Sequence, residues 1–415
     1  MFYALNHDTY LVKGTARGCI YDFNTSKLYS LNKALTDKID SVNQGNVCPE
    51  NIDSELQSVF EQLISQGILV LSERPATNEI EEIRSSNKGC NFAWVEITNQ
   101  CNLRCRHCYN ESEVQSTSVM PLYDYKIVID KLLDLGVSRI QLIGGEPFFD
   151  RSRLKAMLDY TIGKFSFVEI FTNGTLIDSA WMDYLSKNNI HIALSVYSYQ
   201  EDMHDKVTGH PGSYLKTTNT IAELRRYGIP YRVCNVLMNG IDLGKKNTDL
   251  YELSTEKDIV RMSGRASFSL LSDKLIRKKL ITKKSFEVPV SRQFASRLLS
   301  GHNCFRDRIY ISATMDVFPC VMERRIKHGM VCADQEIKLD DAIRAMNKDK
   351  INTCAQCEFR YACFDCRPNS LSGNLLEKPW YCTYDPLTGE WEDEDAFIEN
   401  LKEQWGAESS CETTL

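Results

Sequence analysis

From residue 92 to about 270, short runs of apolar, β-branched and aromatic residues alternate with segments whose apolar positions recur every three to four residues. The runs are FAWVEIT (92–98), RIQLIG (139–144), FVEIF (167–171), HIALSVY (191–197), YRVCNVL (231–237) and VRMSGRA (260–266). PLYDYKIVIDKLLDLGV and SYLKTTNTIAELRRYG supply helical period between them. Six strand–helix repeats predict an α/β fold with a parallel sheet curled into a partial (βα)6, TIM-like barrel. In such a barrel the functional residues sit on loops after the C-terminal ends of the strands.

On either side the rhythm changes. Residues 1–72 pair two strand-like stretches, FYALNHDTYLV and GCIYDFNTSKLYSLN, with the helical pattern of SELQSVFEQLISQGILVL, which predicts a small winged-helix-like domain. Residues 73–90 are charged, contain Pro75 and lack a sustained apolar face, so they read as a linker to a barrel spanning 91–300. Residues 301–390 break into short cysteine-rich segments with few apolar runs, the pattern of a domain held by metal. An acidic helix and tail close the chain at 391–415.

A chain of 415 residues with 43% apolar and 25% charged side chains predicts two or three globular units. A net charge of −7 disfavours nucleic acid and anionic membranes as partners. No apolar run approaches the roughly 18 residues of a membrane span, and the start MFYALNHDTYLVKG lacks signal-peptide blocks, so a cytoplasmic location is expected. In that compartment 16 cysteines cannot be read as eight disulfides, and their clustering points to soft metal ligands.

Directly after the first barrel strand stand Cys101, Cys105 and Cys108, a Cys-x3-Cys-x2-Cys spacing on one loop. Three thiolates are one short of the four that close a zinc or iron–sulfur site. A 4Fe-4S cluster so held keeps one iron open; a structural zinc would need His107 or a distant cysteine as its fourth ligand. Gly144-Gly145-Glu146-Pro147 follows the second strand, where the glycines permit close backbone approach. Thr172-Asn173-Gly174 follows the third, and Ser195 ends the fourth; each offers small polar groups.

Through those three cysteines and GGEP the chain resembles the radical S-adenosylmethionine (SAM) superfamily. The resemblance implies an oxidoreductase whose open iron binds SAM. It assigns Gly144, Gly145 and Glu146 to the methionine moiety, Asn173 and Ser195 to the ribose side, and the backbone near His107 to the adenine. Many relatives carry Arg where this chain has Lys206.

A second group, Cys354-x2-Cys357-x5-Cys363-x2-Cys366, is preceded by Cys304 and Cys320 and followed by Cys382. The five-residue gap is too short for a zinc ribbon and favours iron–sulfur. The pattern resembles the SPASM extension of peptide-modifying radical SAM enzymes. It departs from it in the two-residue gap before Cys366 and in Met315, where a Gly is usual. The resemblance implies two auxiliary 4Fe-4S clusters, three in all: one on Cys354, Cys357, Cys363 and Cys382, the other on Cys304, Cys320 and Cys366. The fourth position of the latter is left to a carboxylate, to Cys332, or to the thiolate of a substrate. The N-terminal domain resembles the precursor-recognition modules of maturases for ribosomally made peptides, which would bind a leader peptide as an added strand.

Together these resemblances imply a radical SAM maturase that installs thioether cross-links in a precursor peptide and draws electrons from a donor such as flavodoxin or ferredoxin. The alternatives are carbon–carbon cross-linking, anaerobic sulfatase maturation and, outside enzymes, a non-catalytic iron–sulfur electron carrier.

Overall fold

The computed structural model describes residues 1–86, 89–256 and 258–406. The chain opens with β1 (Phe2–Leu5) and an antiparallel sheet of β2 (Thr9–Lys13), β3 (Arg17–Asp22) and β4 (Lys27–Asn32). α1 (Lys33–Asn43) starts at Asn32, whose side-chain oxygen accepts the Leu35 amide at 2.9 Å. α2 (Ser54–Ser65) is capped likewise by Asp53, and β5 (Leu69–Ser72) returns to pair with β1. Ile20, Ile39, Phe60 and Leu69 fill the core between these elements.

The barrel follows. β6 (Phe92–Thr98), β7 (Arg139–Gly144), β8 (Phe167–Thr172), β9 (His191–Ser195) and β10 (Tyr231–Cys234) are parallel neighbours in that order. Their connections carry α3 (Leu122–Asp134), α4 (Arg151–Thr161), α5 (Ser179–Lys187), α6 (Glu201–Thr208) and α7 (Ser213–Arg226). Alternate strand residues such as Val95, Leu142 and Ile170 pack under the helices through Val128, Leu158 and Leu185. The opposite strand faces carry polar groups: Arg232 holds Glu169 through Nε at 2.9 Å and Nη2 at 2.8 Å, and Gln141 donates to the same carboxylate.

The sixth strand is not where the apolar pattern puts it. Residues 260–266 form no strand: Val260 donates to Leu237 O, and the chain then turns at Gly264 (φ 57°). The pattern fails because Val260 and Met262 face a separate apolar cluster while Ser263–Arg265 wrap the cysteine loop. After α8 (Asp273–Lys279) and α9 (Arg292–Leu299), the sixth parallel strand is β11 (Arg308–Ile311), which joins the other flank of β6. β12 (Asp316–Phe318) and β13 (Gly329–Met330) extend that edge antiparallel.

The remainder is sparse in regular structure: α10 (Asp341–Arg344), β14 (Tyr384–Asp385), β15 (Glu390–Trp391) and α11 (Glu394–Gly406). The expected tail beyond residue 406, with Cys411, lies outside the described residues. The N-terminal sheet is packed against this region. Tyr10, Val12 and Tyr21 share a core with Phe359, Tyr361 and Tyr384, and Tyr21 donates to Glu358 O at 3.0 Å. Among the described residues no helix is long and apolar enough to cross a membrane.

Candidate active site

The cysteine loop leaves β6 and is tied to three other strand–helix units through backbone bonds. Gly145 N reaches Thr98 O at 2.8 Å and Glu146 N reaches Gln100 O at 2.7 Å. Arg104 N and Arg106 N bond Thr208 O and Val207 O at 3.0 Å, and Arg265 N bonds Cys108 O at 3.1 Å. Gly144 and Gly145 are needed for this closure, since a Cβ at either would overlap the carbonyl oxygens of Thr98 and Gln100. Their close approach is thus to the cysteine loop itself.

Cys101, Cys105 and Cys108 stand within electrostatic reach of one another. Burial, then the Glu146 carboxylate, pushes the Cys101 thiol up to about 12. Burial raises Cys105 further, while the Tyr197 hydroxyl and the Arg265 guanidinium pull it back. Such thiols hold their protons until a cation displaces them, so guest binding and deprotonation are coupled. Among the described residues no three His, Cys, Asp or Glu side chains converge closely enough to enclose a single metal ion. Three mutually coupled soft thiols on a braced loop have the donor chemistry of a zinc or iron–sulfur site.

His107 is half-buried on the cysteine loop. Its ring meets Tyr197 edge-on with centroids 5.0 Å apart, burial lowers its pKa to about 4, and its Nδ1 has no hydrogen-bond partner. Glu146 is fully buried: Oε1 accepts from Phe148 N at 3.0 Å and Thr172 Oγ1 at 2.7 Å, and Oε2 accepts from Asn173 N at 2.8 Å. Burial lifts its carboxyl to about 7 against those three donors. Asn173 Nδ2 donates to Asn102 Oδ1 at 3.0 Å and lies 3.9 Å from Cys101 Sγ, so the loop after β8 touches the cysteine loop. Ser195 bonds the Tyr197 hydroxyl. Lys206 turns away and donates to Gly240 O at 3.3 Å.

The other cysteines form two further groups. Cys354, Cys357, Cys363 and Cys382 line one cavity, with about 390 Å³ of empty space counting its open side, roofed by Phe286, Lys348 and Tyr384. Cys304, Cys320 and Cys366 act on one another electrostatically, and burial raises Cys320 to about 12. Cys332 does not join them. The β12–β13 register sets Asp316 opposite Met330 and Met315 O against Val331 N, so Cys332 lies beside the start of β12. Cys320 follows its other end, about six residues or roughly 20 Å along an extended strand. Of the carboxylates near them in sequence, Asp365 is paired with Lys348 at 2.8 Å and with Arg367, and Glu323 is buried and held by Arg325 Nε at 2.9 Å and Nη2 at 2.6 Å. Of the isolated cysteines, Cys19 and Cys90 are buried and Cys234 accepts from Arg232 Nη1 at 2.8 Å.

Four participants escaped the sequence reading. Tyr197 contacts Cys105. Arg265 Nη2 also braces the loop at Glu111 O (2.6 Å) and Ser112 O (2.9 Å). Tyr109 is buried within the fields of both Cys108 and Cys320, and Glu96 accepts from Asn110 Nδ2 at 2.9 Å and from the Tyr310 hydroxyl. Only Tyr109, adjacent to a motif cysteine, carried a local signal.

Comparison with known proteins agrees with this geometry. The Radical SAM superfamily profile matches residues 95–251. The subtilosin biosynthesis protein AlbA of Bacillus subtilis is 33% identical over 179 residues, covering 43% of this chain and 38% of AlbA. The PqqA peptide cyclase of Granulibacter bethesdensis is 27% identical over 138 residues, 33% of this chain and 37% of the cyclase. The sporulation killing factor maturation protein SkfB of Bacillus subtilis is 28% identical over 137 residues, 33% of each chain. The matched segment thus spans little more than a third of these relatives. Two solved structures share the fold at a TM-score of 0.50: Streptococcus suis SuiB bound to S-adenosylmethionine (14% identity, 88% of this chain and 96% of SuiB) and native anSMEcpe with bound AdoMet (15% identity, 77% and 100%). The segment from Val95 to Tyr251, built around a three-thiol loop and the turn that clamps it, is the part of the chain that matches the Radical SAM superfamily.

Proposed function

We propose that the chain is a radical SAM peptide maturase that forms thioether cross-links in a ribosomally made precursor. The observation that carries this reading is the division of ten cysteines into three buried groups, the first of them three thiols on a loop inside the segment that matches the Radical SAM superfamily. Cys101, Cys105 and Cys108 would hold a 4Fe-4S cluster. Bound there with SAM, such a cluster supplies one electron that cleaves the sulfonium and delivers a radical able to take hydrogen from a C–H bond.

The residues around it hold and shield. Arg265 and Tyr197 stabilise the thiolate form of Cys105. Glu146 ties the loops after β7 and β8 into one rim, which supports a binding surface made by Gly144, Gly145, Asn173, Ser195 and the backbone near His107. Burial of Tyr197 and Tyr109 keeps water from the thiols.

Two auxiliary 4Fe-4S clusters complete the reading, as a SPASM domain would supply. The four-thiol cavity supports a fully ligated one. The trio Cys304, Cys320 and Cys366, with Cys332 remote and Glu323 engaged, supports a site with a position left for a substrate thiolate. The N-terminal domain, winged-helix-like in its order of strands and helices, would bind the leader along its sheet edge, and a flavodoxin or ferredoxin would supply electrons. AlbA and SkfB, by their names, serve bacteriocin and killing-factor maturation, which favours a peptide substrate here.

The test is to reconstitute the protein anaerobically, add reductant, SAM and a cysteine-bearing precursor encoded nearby, and weigh the product. Loss of two hydrogens with the cysteine no longer alkylatable supports a thioether. The same loss with the cysteine still alkylatable points to a carbon–carbon link, and an unchanged precursor refutes the maturase reading.

A further inference from the structure

A buried chain of charges connects two of these thiol groups. Lys348 is only 7% exposed and lines both the four-thiol cavity and the smaller one behind it, whose wall includes His302, Asp365 and Arg367. Its Nζ stands 2.8 Å from Asp365 Oδ1 in an ion pair without a well-directed hydrogen bond. Asp365 Oδ2 is taken by the Arg367 guanidinium. The backbone oxygen of Asp365 meets His302 Nε2 at 3.0 Å, and His302 Nδ1 accepts the amide of Cys304 at 3.2 Å. Asp365 also lies between Cys363 and Cys366 in sequence, one from each group.

Two cations against one carboxylate leave a surplus positive charge inside the protein. There Coulomb forces are several-fold stronger than in water. Such a charge must serve something anionic, because a desolvated ammonium is costly without compensation. Lys348 lines the same cavity as Cys354, Cys357, Cys363 and Cys382, so its positive charge favours negative charge held among those thiols. Reducing a cluster in that cage adds one electron and one negative charge, with no atom moved, so Lys348 acts on it with the same sign.

We infer that Lys348 sets the reduction potential of the cluster held by Cys354, Cys357, Cys363 and Cys382, raising it so that this site accepts an electron readily, with Asp365 as the counterweight. This rests on the reading that those four thiols hold a cluster.

The test is an EPR-monitored redox titration of holoenzyme, with iron counted for wild type, Lys348→Met and Asp365→Asn. The expected result is a lower potential for that cluster in Lys348→Met and a higher one in Asp365→Asn, at wild-type iron content. Unmoved potentials, shifts of one sign in both variants, or loss of iron from both would overturn the inference and leave the network as scaffolding for the cage. A wild-type protein that binds no cluster at this site would instead sink the reading beneath it.

Discussion

Three backbone or hydroxyl donors converge on the carboxylate of Glu146, which has no exposed surface. Glutamine offers one carbonyl where two oxygens accept, so Glu146→Gln strands a buried donor and should cost about 1–3 kcal/mol, read by urea unfolding. Titration gives the same residue a signature. Its folded pKa is near 7 against a usual 4.5, so its contribution favours folding below pH 4.5 and is lost as pH rises toward 7. His204, which accepts the Tyr197 amide at 3.3 Å, and His107 have the opposite sign: burial lowers both from 6.5 to about 4. Their contribution is present above pH 6.5 and is lost as pH falls toward 4. Unfolding free energies measured from pH 4 to 8 before cluster loading should show the first trend flattened in Glu146→Gln and the second in His204→Gln. At this scale the motif cysteines were legible because their spacing is local. Tyr197 and Arg265 were not, because only the fold brings them to Cys105.

Among the elements, the turn at Gly264 does what the expected strand 260–266 could not. Its φ of 57° and the carbonyls of Cys108 and Tyr109 leave no room for a Cβ. Gly264→Ala should therefore loosen the cysteine loop and lower iron at the first site, measured as iron per chain against wild type, while the other two sites stay loaded. The five strands 92–98 through 231–234 were readable because the face of each that packs under the helices, with Val95, Leu142 and Ile170, is apolar and β-branched residues are frequent. The sixth was not, since β11 is separated from β10 by over seventy residues and only its pairing with β6 identifies it.

Across the whole molecule, the N-terminal sheet and the C-terminal cysteine region are one packed body. Thr15 N bonds Gln356 O at 2.9 Å, Arg360 Nη1 bonds Lys13 O at 2.8 Å, and Tyr21 is wholly buried between the two. Tyr21→Ala should cost roughly 3–5 kcal/mol and release iron from the four-thiol cavity before the other sites, seen by iron loss during mild urea titration. No local pattern announces this docking, because it joins residues more than 330 apart. The division of cysteines into groups was readable at long range only because family spacing suggested it. The central claim is tested most directly by adding SAM to the reduced, iron-loaded protein and assaying 5′-deoxyadenosine. The account predicts that wild type forms it and Cys105→Ala does not, and a fully loaded wild type that forms none would contradict it.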